Sequence, residues 1–152
     1  MHKILLYAIG KKEPGCYECV YEELIKNAKK YATIEMVNIF NKKINRAQNS
    51  GLAKESYTLA LEPFLKKDYF NIALHPKAKE PDSFEFAELF NEHGKIAFFI
   101  GGAYGFEDGF LRRCDMRLSL SRLTMSHKIA KIVLLEQIFR ALTIVHNHPY
   151  HK

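Results

Sequence analysis

"KIAFFIGGAYGF" (residues 95–106) is a short apolar run that ends abruptly on two glycines, Gly101 and Gly102. A run of this length, closed by a turn signal, reads as a strand buried on both faces, the usual form in parallel sheets. "HKILLYAIG" (2–10) repeats the pattern and stops at Gly10, and "TIEMVNIF" (33–40) and "DYFNIAL" (68–74) supply two further strands. Helical stretches separate them. Residues 17–31 place Val20, Leu24, Ala28 and Tyr31 on one face. Residues 52–66 continue the helical pattern to a break at Pro63. "DSFEFAELFNEHG" begins at a cap, Asp82 or Ser83, and stops at Gly94. The polar "NKKINRAQNSG" (41–51) is expected to be mobile. Strands alternating with helices predict an α/β fold with a mainly parallel sheet and helices on both faces. Ligands in such sheets sit beyond the carboxyl ends of the strands, which directs attention to the segments after Leu74, after Ile100 and around 118–126.

The chain has 152 residues, 47% of them hydrophobic, and no Pro/Gly/Ser-rich linker, so one domain over 1–152 is expected. It opens without a charged-then-apolar leader and has no apolar run approaching ~18 residues, so a cytoplasmic protein without a membrane span is predicted. The +6 charge is unevenly spread along the chain. Residues 1–111 hold 15 Lys/Arg and 15 Asp/Glu, while residues 112–152 hold 8 Lys/Arg against Asp115 and Glu136. Such a field attracts polyanions, and Arg112, Arg113, Arg117, Arg122, Lys128, Lys131 and Arg140 suit phosphates. A solvated basic face without a partner is the plainer alternative.

Several constellations bear on chemistry. Cys16 and Cys19 form a Cys-x-x-Cys where a helix opens, the place of a redox pair; two cysteines spaced by chance on a first turn are the competing reading. Cys114 alone cannot complete a zinc site. "FFIGGAYGF" (98–106) lets backbone approach a ligand closely, yet lacks the Gly-Lys-Ser/Thr of a P-loop and the spacing of the dinucleotide fingerprint. "RLSLSRLTMSH" (117–127) offers hydroxyls and backbone groups, as an edge strand and a loop or as a grip for a polar ligand. Residues 127–145 are apolar on nearly every side, so one side is expected to form a subunit interface. The chain closes on "HNHPYHK", with no acid or cysteine to make it a metal site.

Read together, "FFIGGAYGF…LSLSRLTMSHKIAKIVLLEQIFRALTIVHNHPYHK" closely resembles the RlmH family of SPOUT-class methyltransferases. The likeness is dense over 98–152 and looser over "NIALHPKAKEPDSFEFAELF" and the opening strand. It implies an α/β fold with a deep trefoil knot in the C-terminal third, and a homodimer. It also implies methylation of N3 of a pseudouridine in 23S rRNA of the large ribosomal subunit, with S-adenosyl-L-methionine as cofactor and no metal. By position, the cofactor contacts implied are Leu74, Gly101, Leu120, Ser121, Arg122, Leu123, Thr124 and Met125. RNA phosphates would fall to Arg112, Arg113, Arg117 and Lys152, and the folded-back tail would bring Tyr150 and His148 or His151 to the target base. Two other classes stay open: a thioredoxin-like redox protein using Cys16 and Cys19, and a non-catalytic RNA-binding protein.

Overall fold

A computed structural model describes residues 1–152. Five strands, β1 (His2–Ile9), β2 (Ala32–Ile39), β3 (Phe70–Leu74), β4 (Lys95–Ile100) and β5 (Met116–Leu118), form one sheet in the order β2-β1-β4-β3-β5. Every neighbouring pair is parallel. The helices are α1 (Gly15–Ala28), α2 (Lys42–Arg46), α3 (Ser50–Leu61), α4 (Ser83–Glu92), α5 (Asp108–Arg113) and α6 (His127–Val145), with a short 3-10 turn at Glu62–Phe64.

Alternation along the strands divides the core into two layers. Ile4, Leu6, Ile72, Phe98 and Ile100 face one side, where α1, α4 and α6 cover them. Leu5, Tyr7, Ala73, Ala97 and Phe99 face the other, against Ala53, Tyr57 and Leu61 of α3 and Phe110 of α5. Because both faces are covered, the strand sequences are apolar without alternation, which is why they read so plainly.

Local sequence explains most boundaries. Asp82 caps α4, accepting from the Glu85 N–H while the Glu85 side chain accepts from the Asp82 N–H. Pro63 ends the α3 segment in the 3-10 turn. Two expectations need correction. Residues 41–51 are not without structure: Asn41 Oδ1 accepts from Ile44 N–H and Asn49 Oδ1 from Leu52 N–H, each at 2.9 Å, so two asparagine caps start two helices. Helix α5 was also unforeseen, being six residues long and too short to show a period.

Candidate functional site at the carboxyl edge of the sheet

Strands β4, β3 and β5 are neighbours, so the three segments singled out in sequence leave the sheet side by side. Ala73 stands opposite Phe99, and Leu74 opposite Leu118. The loops after β3 and β5 are then stitched together. His75 N–H donates to Leu118 O at 2.9 Å, Ser119 N–H to Lys79 O at 3.0 Å, and Arg122 pairs with Glu80 at 3.6 Å. Ser119 Oγ donates to Ser121 O, and Ser121 Oγ in turn accepts from Leu123 N–H, each at 3.0 Å.

Beyond that, the loop is open. No main-chain group of Leu120, Arg122, Thr124 or Met125 takes part in a backbone–backbone hydrogen bond. Their N–H and C=O groups are therefore available to a ligand, as obligatory hydrogen-bonding groups without internal partners. Leu120 is half-buried against the core, whereas Leu123 is 79% exposed. Leu123 accordingly offers an apolar surface that nothing in the same chain covers.

The glycine turn forms the other wall. Gly101 and Gly102 are both buried. A Cβ on Gly102 would come within 2.2 Å of the Tyr57 ring, so this glycine is required by the packing of α3 beneath it. A Cβ on Gly101 would meet the Phe106 ring at 3.3 Å. Gly101 is thus crowded by the Phe106 ring from within the chain, besides leaving the turn open to a ligand.

Sequence reasoning passed over His127, which opens α6; burial, and then the Lys131 charge one turn on, hold its imidazole below the usual pKa. Lys131 itself is 1% exposed; its Nζ lies 2.7 Å from Glu13 Oε1 and 2.9 Å from Asn38 Oδ1. It is no phosphate ligand but one end of a buried pair joining α6 to the loop after β1 and the end of β2. Its signal in the sequence was a lysine at the fourth position after His127, inside an otherwise apolar stretch.

The other candidates for phosphate separate in space. Arg113 pairs with Glu62 at the end of α3, and Arg140 pairs with Glu136 at 2.6 Å. Arg112, Arg117 and Lys152 are exposed and make no ion pair. Arg117 lies near His75, whose imidazole is pushed down by burial and then by Arg117. The basic third of the chain is therefore not one basic face.

The tail does fold back. Asn147 takes a left-handed conformation (φ 53°) and ends α6, with His148 N–H donating to Thr143 O at 2.8 Å. Tyr150 donates to Glu136 Oε1 at 3.2 Å and lies 4.7 Å from the Phe139 ring and 4.8 Å from the Arg140 guanidinium. His151 Nδ1 is 3.2 Å from Arg140 Nη1, and its ring meets the edge of Phe84. His148 is exposed. These partners belong to α6 and α4, not to Gly101 or the 120–125 loop. The link to that loop is indirect. Glu136 Oε2 accepts from Gln137, and Gln137 accepts from Ser83, on the rim of a hollow of about 350 Å³ that Leu118, Ser119 and Leu120 also line. The tail's first histidine is structural: His146 stacks on Tyr31 and bonds Leu142 O at 2.8 Å.

Cys16 and Cys19 are free and exposed on α1. No group of three or more His, Cys, Asp or Glu is placed to hold a metal ion, and no helix is long and apolar enough to cross a membrane.

Comparison with known proteins follows the same lines. A family model described as "Predicted SPOUT methyltransferase" matches residues 2–151. A protein of a Nitratiruptor species called ribosomal RNA large subunit methyltransferase H is 62% identical over 153 residues, covering 100% of both chains. A protein of the same description from Wolinella succinogenes is 48% identical over 154 residues, covering 99% of each. Among solved structures, a probable methylase family protein from Haemophilus influenzae Rd KW20 superposes with a TM-score of 0.58 at 14% identity. The match covers 98% of this chain and 70% of that one, and bears on the fold alone.

Proposed function

Since the chain belongs to the SPOUT methyltransferase family, we propose that it moves a methyl group from S-adenosylmethionine to N3 of a pseudouridine in 23S rRNA of the large ribosomal subunit. The relatives that match along the whole chain are large-subunit rRNA methyltransferases, which favours this substrate. The observation that carries the reading is the set of unengaged main-chain groups of Leu120, Arg122, Thr124 and Met125, at the same edge as the buried glycine turn. A cofactor with an adenine edge, an amino group and a carboxylate needs such groups on a fixed loop, and the loop's stitching to 75–80 fixes it. Leu74 and Leu120 give apolar cover, and Gly101 keeps the turn free of side chain. Ser121 positions the loop through Leu123 N–H. Leu123, Arg122, Thr124 and Met125 contribute chiefly through the backbone.

When bound, S-adenosylmethionine supplies a methyl carbon on a sulfonium, so the protein's task is positioning and removal of the N3 proton. Guanidinium groups only donate hydrogen bonds, so the Arg140 contact occupies the His151 Nδ1 lone pair and leaves the other nitrogen protonated. That makes His148 the proton acceptor of the tail, with His151 and Tyr150 holding its shape or the base. Arg112, Arg117 and Lys152 are left to contact phosphate, which positions RNA without specifying sequence. Family membership sets aside a redox role for Cys16 and Cys19.

A homodimer with a knotted C-terminal third belongs to the same reading. In support, the chain leaves edge strand β5 and α6 returns to pack on α1 and α4. On α6, Ile129 is 42% exposed, and Ile132, Val133 and Phe139 are only partly buried by the chain's own core. Ile138 and Leu142, by contrast, are fully buried within the chain. An Ile129→Glu variant is therefore expected to sediment as a folded monomer where the wild type sediments as a dimer. A wild type that is monomeric at micromolar concentration would remove the dimer from the proposal.

The reading is tested by calorimetric titration with S-adenosylmethionine followed by methylation of large-subunit particles. Gly101→Val is expected to weaken cofactor binding at least ~10-fold, a loss of about 1.4 kcal/mol. It should also lower thermal stability, because the added side chain must displace Phe106. Cofactor binding at wild-type affinity by this variant would move the site away from the glycine turn.

A further inference from the structure

Charge along the chain pointed to residues 112–152 as the whole RNA-binding field, yet a compact group of unpaired cations lies outside it. Within that third, Lys131 is buried, Arg113, Arg122 and Arg140 each pair with a carboxylate, and the unpaired Arg112, Arg117, Lys128 and Lys152 are spread over α5, β5, α6 and the tail. On α2, Lys42, Lys43 and Arg46 make no ion pair at all. They rim a hollow of about 340 Å³ whose floor is Leu52, Ser56 and Leu59 of α3. Glu55 is the one acid in the lining.

Three further observations make this more than a solvated charge run. Asparagine caps start both α2 and α3, so the cations stand on helical structure. Large apolar side chains lie open among them: Leu52 is 52% exposed and Phe40 39%, with Lys11 Nζ 5.0 Å from the Phe40 ring centroid. Cations interleaved with an exposed aromatic ring are what a single-stranded nucleic acid needs, phosphates for the first and a base face for the second. The position also fits. Lys11, Phe40 and α2 all follow the carboxyl ends of β1 and β2, the same edge as the glycine turn, and α3 joins the two through Tyr57 beneath Gly102.

We propose that Lys11, Phe40 and the α2 cations Lys42, Lys43 and Arg46 form a second RNA-contact surface that grips the strand flanking the target nucleotide. The inference rests on the RNA substrate proposed above and adds where that RNA runs. It assigns phosphate contacts to a helix in the part of the sequence whose charges sum to zero.

Binding of a synthetic pseudouridine-containing stem-loop of large-subunit rRNA, followed by fluorescence anisotropy between ~50 and ~200 mM salt, tests it. The variant is Lys42→Ala/Lys43→Ala/Arg46→Ala; the control, Lys26→Ala/Lys29→Ala/Lys30→Ala, removes the same charge from sites around the end of α1 at the opposite edge of the sheet. The α2 variant is expected to lose ~10–100-fold in affinity at the low-salt end. Its slope of log K against log salt should be shallower by about 2, since each phosphate of a single strand the protein no longer neutralises removes about 0.7. Phe40→Ala should weaken binding ~10-fold or more with the slope unchanged, as removal of a stacking face does. S-adenosylmethionine affinity, read separately by calorimetry, should stay at the wild-type value in both. An unchanged slope in the α2 variant, or an equal loss in the control, overturns the surface. A wild type that binds this RNA but not S-adenosylmethionine would overturn the proposed activity and leave the surface standing.

Discussion

Replacing Lys131 by methionine will lower folding stability by about 3–5 kcal/mol, the usual result of removing one partner from a buried ion pair. The size follows from burial. Lys131 is 1% and Glu13 7% exposed at their side chains, and Glu13 Oε2 already lacks a hydrogen-bond partner. Without the ammonium, that carboxylate stays desolvated and loses both the 2.7 Å bond and the opposite charge. Asn38 loses its partner too, leaving a second polar group short. Removing both charges with Glu13→Leu/Lys131→Met should restore most of the loss, because a buried pair is often no more stabilising than apolar groups of similar volume. Urea midpoints for the two variants, with slopes unchanged, measure this. A single variant within about 0.5 kcal/mol of wild type, the range of an ordinary surface substitution, would contradict the burial described. The pair ties the first turns of α6, which directly follow the 120–125 loop, to the loop after β1 and the end of β2. An apolar replacement that restores stability should therefore still weaken cofactor binding.

The same pair marks the limit of what sequence discloses. Strands β1 and β4 and helix α6 were legible because their apolar residues cluster locally and their ends carry glycine or a cap. Sheet order was not. That β5 lies beside β3 depends on Asp115, whose side chain accepts from Asn71 N–H at 2.7 Å and whose own N–H donates to Asn71 O at 2.8 Å, across forty-four positions. No local pattern announces such a pairing. Helix α2 escapes a linear reading because its polar residues look like linker until the two asparagines are recognised as caps. The glycine turn and the segment around 118–126 were singled out by their place after predicted strands, and resemblance to a family then named the contact residues within them. Electrostatics was least legible. Lys131 and Glu13 stand 118 residues apart, so a one-dimensional count treats as free a charge that is neutralised in the core.

Deleting residues 148–152 is expected to reduce methyl transfer at least ~10²-fold, the contribution of a positioned proton-transfer group, while leaving S-adenosylmethionine affinity unchanged. Affinity should survive because the proposed cofactor contacts at 74, 101 and 120–125 make no direct bond to the tail. Stability should fall modestly, since the deletion removes the bond from His148 N–H to Thr143 O and uncovers Phe139 and Arg140. A single-residue variant separates chemistry from that structural cost. His148→Ala keeps Tyr150 on Glu136 and His151 on Arg140, so the fold of the tail remains. If His148 accepts the N3 proton, this variant should lose kcat with KM and thermal midpoint little changed. Tyr150→Phe should behave differently. Burial and the Glu136 carboxylate keep the phenol protonated and donating. Losing it breaks the hydrogen-bond path from the tail through Glu136 and Gln137 to Ser83, on the rim of the hollow that Leu120 lines. KM for the particle should therefore rise more than kcat falls. Wild-type turnover by the truncated, folded protein would make the tail a clasp for the end of α6, and the proton would then have to leave by another group.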